Sequence, residues 1–249
     1  VSSAGDVNNE GFDDLIIGAD YADTNGNNSG SAYVIYGTTS TSAIELSTIE
    51  SEGGGGFVIN GAGAYDKVGY SVSNAGDVNN DGFDDIFLGS RSIPGSYGLS
   101  PFSFILLNNK KGGFGILEKF RIGMVTDAKW IDINQDKFLD LVIVGDWMPV
   151  TVLINKGDET FSNMTAPLGL SKTYGMWNSI TVDDLDNNGR KDLLLGNAGL
   201  NLNFNPLIKF TAKSLNQNTA DKDINIAIHG ASTSANSNPN WSNILLLLF

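Results

Sequence analysis

Two stretches of this chain carry nearly the same fifteen residues. Residues 4–18 read AGDVNNEGFDDLIIG and residues 75–89 read AGDVNNDGFDDIFLG, identical at eleven of fifteen positions. A chain that repeats a segment of this length builds its fold from repeated units, and the period restricts which units are possible. Two weaker copies follow, DINQDKFLDLVIVG at 132–145 and DLDNNGRKDLLLG at 184–196. All four share one frame: Asp, apolar, Asp or Asn, any residue, Asp/Asn/Glu, usually Gly, two variable residues, Asp, then an apolar run that ends in Gly. The first aspartates, Asp6, Asp77, Asp132 and Asp184, are separated by 71, 55 and 52 residues. A period of roughly 50–70 residues built from short strands corresponds to one four-stranded propeller blade per unit.

The strand pattern agrees. In the first unit Asp14–Gly18 follows the loop, Ser31–Tyr36 alternates, and Gly56–Asn60 and Gly69–Asn74 complete four short runs separated by Gly, Asn and Ser turns. The third unit offers Leu141–Val144, Val150–Ile154 and a run near Phe161. The fourth offers Leu193–Leu195, Leu207–Ala212 and Ile224–Ile228. Asn and Gly interrupt every candidate helix. The expected fold is therefore all-β: a propeller or partial propeller of about four blades. Each blade is a four-stranded antiparallel sheet with the Asp-rich loop between its first and second strands. The chain reads as one domain over 1–249, with approximate blades at 1–68, 69–122, 123–174 and 175–249. Residues 200–249 match the repeat poorly. The closing apolar run Ile244–Phe249 is far shorter than the about 20 residues of a membrane helix and reads as a buried strand. Val1 opens inside a repeat, so the chain reads as a mature or truncated piece.

With 28 acidic and 15 basic residues the formal charge is −13, which disfavours nucleic acid, because binding phosphates needs a basic surface. No cysteine is present and His229 is the single histidine. Disulfides, thiolate metal sites and histidine-rich zinc sites are excluded.

The acidic residues have a placement that explains them. Oxygen side chains occupy positions 1, 3, 5 and 9 of each loop, and position 7 offers a backbone carbonyl. The candidate ligands are Asp6, Asn8, Glu10, Phe12 and Asp14; Asp77, Asn79, Asp81, Phe83 and Asp85; Asp132, Asn134, Asp136, Phe138 and Asp140; and Asp184, Asp186, Asn188, Arg190 and Asp192. Phe12, Phe83, Phe138 and Arg190 enter through their carbonyls. A hard cation such as Ca²⁺ takes about six to eight oxygens in a flexible shell, which such a loop supplies. Gly at position 6 permits the sharp turn. The apolar position 2, Val7, Val78, Ile133 or Leu185, anchors the loop in the core. Three carboxylates per loop account for 12 of the 28 in the chain, and four Ca²⁺ ions would bring the charge from −13 to −5. The third loop is weakened by Lys137 at position 6, and Glu10 reshapes the first. An EF-hand begins the same way but needs a bidentate acid at position 12 and flanking helices. Here position 12 is Ile17, Leu88, Ile143 and Leu195, all in strand-like runs. The competing reading of each loop is a metal-free Asp/Asn-Gly hairpin turn.

These residues resemble the FG-GAP repeats of integrin α-subunit propellers and their bacterial secreted relatives. Val68-Gly69 with Tyr70-Ser71-Val72 is similar to the Phe-Gly element. Gly18-Ala19 and Gly89-Ser90 are similar to the start of the Gly-Ala-Pro element, without its proline. VTVLINKGDETF at 150–161 and GMWNSITVDDLDNNGRKDLLLGN at 175–197 resemble the bacterial repeats. The resemblance covers roughly residues 1–200. It implies a Ca²⁺-stabilised propeller with up to four ions, extracellular or at a bacterial cell surface. The implied role is adhesion, ligand binding or assembly. The implied partner is a protein, a glycan or a second copy joined through open sheet edges.

The alternative function is a non-catalytic propeller module or fragment of a secreted hydrolase, with carbohydrate binding as its role. Trp130, Trp147, Trp177, Tyr174 and Trp241 are candidates to stack on sugars, against the competing reading of each as core packing. The acid pairs Asp13/Asp14, Asp84/Asp85 and Asp183/Asp184 are the only hint of glycoside hydrolysis, which needs two facing carboxylates. One member of each pair belongs to a loop frame and the other is expected to face solvent. His229 reads as a strand-end residue, and the chain is expected not to be an enzyme.

Overall fold

The computed structural model describes residues 1–40, 42–49, 55–93, 95–111, 113–185 and 189–198, together with the backbone of two later strands. The first sheet is a meander of β1 (Ser2–Gly5), β2 (Asp14–Ala19), β3 (Ser31–Ile35) and β4 (Gly56–Asn60). The second repeats it with β5 (Ser71–Gly76), β6 (Asp85–Gly89), β7 (Ser103–Asn108) and β8 (Phe114–Phe120). The third is built from β9 (Met124–Ile131), β10 (Asp140–Met148), β11 (Thr151–Asn155) and β12 (Phe161–Asn163). A fourth contains β13 (Gly175–Asp183), β14 (Asp192–Asn197), β15 (Asn225–Gly230) and β16 (Asn243–Leu248). All the pairings between these strands are antiparallel, as propeller blades require.

The fourth sheet departs from the meander: β16 lies beside β14, and β15 is outermost. It also joins the third sheet, because β10 runs on past its own blade and pairs Asp146 with Met176 and Met148 with Gly175. The apolar closing run is a strand, and His229 sits near the end of β15. The strand expected at Leu207–Ala212 lies outside the described residues. One expectation needs correction. A single helical turn, α1 (Leu46–Ile49), and a 3-10 turn at Leu170–Lys172 are present. Each is short enough to escape a periodicity test, which needs several turns.

One rule organises the core. Positions 10 and 12 of each loop-plus-strand unit face the preceding blade, and position 11 faces the following one, as the twofold alternation of a strand demands. Ile16 of the first blade packs with Ile86 and Leu88 of the second. Phe87 of the second packs with Leu141 and Ile143 of the third. Val142 of the third packs with Leu193 and Leu195 of the fourth. Each such side chain contributes about 1.5–3 kcal/mol when fully buried. Leu15, the first-blade counterpart of Ile86, is 49% exposed. Beside it α1 folds Ile49 against Tyr33 and Ile35.

Polar clasps lock neighbouring blades in register. Asn108 at the end of β7 donates its Nδ2 to the Val7 carbonyl at 2.6 Å. Asn155, its counterpart at the end of β11, donates to the Val78 carbonyl at 2.9 Å. Thr126 Oγ1 donates to the Trp177 carbonyl at 2.7 Å, and Ile180 N donates to Asp127 Oδ2 at 2.8 Å. Asn155 is fully buried. Replacing it with Ala strands the Val78 carbonyl, so Asn155→Ala should cost about 1–3 kcal/mol in urea unfolding with an unchanged m-value. A loss below about 0.5 kcal/mol, within the range of ordinary surface substitutions, would show that the clasp does not hold the blades.

Candidate functional site

The four Asp-rich loops lie at one end of the blades, each between the first and second strands. Their internal wiring repeats. The position-9 aspartates Asp14, Asp85, Asp140 and Asp192 are fully buried. Each Oδ2 accepts the backbone N–H of position 2, at 2.9 Å from Val7, Val78 and Ile133 and at 2.8 Å from Leu185. Oδ1 accepts the N–H at the far end of the third strand, from Gly37 at 2.7 Å, Asn108 at 2.8 Å and Asn155 at 2.9 Å. One carboxylate thus ties three segments of a blade together. The position-1 aspartates cap the turn. Oδ2 accepts the N–H of position 6, from Gly11 and Gly82 at 2.7 Å, Gly189 at 2.8 Å and Lys137 at 2.9 Å. Oδ1 accepts the N–H of position 5, from Glu10 at 2.9 Å, Asp81 at 2.7 Å and Asp136 at 3.1 Å.

Backbone conformation follows the same plan. Position 6 has positive φ in every loop: 92° at Gly11, 91° at Gly82, 79° at Lys137 and 84° at Gly189. Lys137 therefore adopts a left-handed conformation that costs an L-residue about 1–2 kcal/mol. The third loop keeps its shape at that expense.

Val7 and Val78 anchor the loops in the core and Ile133 packs beside it, whereas Leu185 is 44% exposed. Asp186 and Asn188 lie outside the described residues. The expectation that the second acid of each pair faces solvent fails for Asp84. Its Oδ2 accepts Asp6 N from the neighbouring loop at 3.0 Å and Asn74 Nδ2 at 3.4 Å. Asp13 and Asp183 are exposed, and Asp183 pairs with Lys191 at 3.7 Å. Of the three acids outside the loop frames, Asp84 and Asp183 thus have structural partners and Asp13 is exposed.

The electrostatics are strained. Burial pushes Asp85 up to about 7, against the lowering effect of the Asn108 and Val78 amides, with Asp81 and Asp77 adding repulsion. Asp140 is pushed up to about 6 by the same causes, with Asp136 and Asp132 as its neighbours. Asp14 and Asp84 are raised too, chiefly by burial. Among the described residues no three acidic or histidine groups converge into a preassembled metal cage. The donor chemistry still fits a hard cation. It is all oxygen, carries three carboxylates per loop, and includes buried carboxylates whose charge the fold alone does not compensate.

At the opposite end of the blades lie the most exposed tyrosines and tryptophan among the described residues: Tyr21, Tyr65, Tyr70, Tyr97, Trp147 and Tyr174. Of the aromatics considered for stacking, Trp177 is buried and Trp130 packs against the core beside Phe161. Trp147 and Tyr174 are exposed, and Trp241 lies outside the described residues. Sequence reasoning missed Asn108 and Asn155, although the endings LLN and LIN of two equivalent strands carried the signal.

Two outcomes are expected. Lys137→Gly relieves the left-handed strain and should stabilise the chain by up to about 1 kcal/mol in urea unfolding, the gain being trimmed by glycine's unfolded-state entropy. In chelator, Asp85 binds its proton more tightly folded than unfolded. Its contribution to stability is therefore complete below about pH 4 and is lost as the pH rises to about 7. Melting curves of the chelated chain against pH, compared with those of Asp85→Asn, check this: the variant should lack that fall.

Residues 1–35 match the FG-GAP repeat family and residues 132–195 match its FG-GAP-like repeat relative. The chain is 37% identical over 90 residues to integrin alpha pat-2 of Caenorhabditis elegans, a match that covers 36% of this chain and 7% of that protein. No helix among the described residues is long and apolar enough to cross a membrane. The two repeat matches, the all-β blades and the integrin relative together support an FG-GAP, integrin-α-like repeat family for this chain.

Proposed function

We propose that this chain is a calcium-braced, extracellular or surface-exposed ligand-binding module, with its Asp-rich loops holding up to four Ca²⁺ ions. One observation carries the reading: a fully buried aspartate at position 9 of each loop, with further acids in the same short turn. Burying that charge is costly unless a counter-charge accompanies it. The second loop is the best equipped, with Asp77, Asn79, Asp81 and Asp85 as side-chain ligands and the Phe83 carbonyl beside them. When bound, calcium supplies a positive charge and oxygen coordination at the turn. The chain's own residues do the rest: positions 1 and 9 fix the loop, and the loop fixes the strand ends. The integrin relative supports placement outside the cell and a role in recognition.

Asp85 is a poor probe of metal binding, because its loss removes two backbone contacts as well as a ligand. Asp81→Asn keeps the shape of its side chain and removes one charge. Calcium at about 100 times its dissociation constant should stabilise the chain by about 2.7 kcal/mol per occupied loop, seen as a higher melting temperature than in chelator. Asp81→Asn should reduce that increment and the calcium stoichiometry measured by calorimetry. Equal melting of the wild-type chain in calcium and in chelator, without bound ion, would refute the reading.

A further inference from the structure

We propose that the end of the blades opposite the Asp-rich loops carries a binding site for a neutral saccharide, centred on Tyr70 and the Arg91–Asp146–Tyr97–Trp147 cluster. The inference rests on reading the chain as a ligand-binding module and supplies the class of ligand.

A continuous set of contacts builds the site. Asp146, only 1% exposed, accepts Arg91 Nε at 2.7 Å and Tyr97 Oη at 3.4 Å, both on Oδ2. Its Oδ1 is buried without a protein donor. Arg91 donates Nη1 to Tyr70 Oη and lies over the Tyr70 ring, 4.9 Å from its centroid. Trp147, 46% exposed, donates Nε1 to Tyr97 Oη at 3.1 Å; Tyr97 is 60% exposed. Trp147 also has φ of 58°, an outlier for a bulky residue, at the bulge where β10 passes from one blade to the next. A strained, exposed indole pinned by a hydrogen bond is a preorganised contact surface. Tyr70 also borders a cavity of about 230 Å³ lined by Val1, Ser71, Thr126, Asp127 and Lys129. That cavity is hydrophilic and large enough for a single sugar ring.

The chemistry selects the ligand. Sugar rings present C–H faces to aromatic rings and hydroxyls to planar acid and guanidinium groups, and this cluster offers both. An orphaned buried acceptor such as Asp146 Oδ1 is matched by a ligand O–H donor. An anionic ligand is disfavoured, because Asp146 already neutralises Arg91, Asp20 neutralises Lys67 at 3.8 Å, and the chain carries −13 overall. The fully buried core of a protein interface is more apolar than the surface around it. Among the described residues in the connections at this end, Leu99 is the one strongly exposed large aliphatic side chain.

The test is saturation-transfer NMR on the full chain with the methyl glycosides of glucose, galactose, mannose, fucose and N-acetylglucosamine, with glucuronate as the anionic control, in calcium and in chelator. At least one neutral glycoside should bind. Trp147→Ala and Tyr70→Ala should each weaken it by about tenfold or more while Trp147→Phe retains it, all three variants melting like the parent. The site is overturned if no neutral glycoside binds up to about 50 mM, if glucuronate is preferred, or if binding ignores both alanine variants. A peptide library captured through Trp147 in place of any glycoside overturns it in favour of protein recognition. Sugar binding without a calcium response defeats the calcium brace alone. A calcium response without sugar binding defeats this site alone.

Discussion

Every blade hangs on one buried carboxylate. Asp14, Asp85 and Asp140 each join the start of their loop to the far end of the third strand, and Asp192 makes the first of these links in the fourth blade. Without that acceptor, two backbone amides inside each of the first three blades would lose their partners, a cost the fold must meet some other way. The carboxylate in turn needs compensation, since it is desolvated and crowded by the acids of its own loop. The same residue therefore makes the loop a structural joint and gives it reason to attract a cation. These two roles are coupled by electrostatics.

The clasps carry this order from blade to blade. Asn108 receives its backbone acceptor from Asp85 and donates its side chain to Val7 of the neighbouring blade. Asn155 does the same between Asp140 and Val78. Loop, strand end and neighbouring loop form one hydrogen-bonded series along the acidic end. The apolar alternation of positions 10, 11 and 12 seals the interfaces above it. Such a braced end leaves the opposite connections free to vary in length and carry recognition, which is where the exposed aromatics collect.

Much of this was legible in the sequence, because repetition is a strong signal and the Asp frame marks one fixed place in every blade. The apolar residues at position 12 lie in strands, unlike an EF-hand's twelfth ligand, and the short apolar runs located β2 to β6 and β10 to β12, whereas β1, β7, β8 and β9 carried no signal that was read. Long-range pairings were not legible. That Asp84 reaches Asp6, or that Arg91 meets Asp146 across 55 residues, depends on how blades stack, which no local pattern encodes. The order of β15 and β16 was hidden for the same reason: a six-residue apolar strand does not announce its neighbour. Trp147 and Trp177 look alike in sequence, and only the bulge in β10 turns the first outward while the second fills the core.

A cation held in the loop, as proposed, would tighten the position-9 joint. Amide hydrogen exchange at Val78 and Asn108, the two N–H groups that Asp85 holds, measures that joint directly. Saturating calcium should slow exchange at both amides relative to chelator, by more than at amides in the aromatic connections of the opposite end. Calcium that binds yet leaves both amides exchanging as before would contradict it.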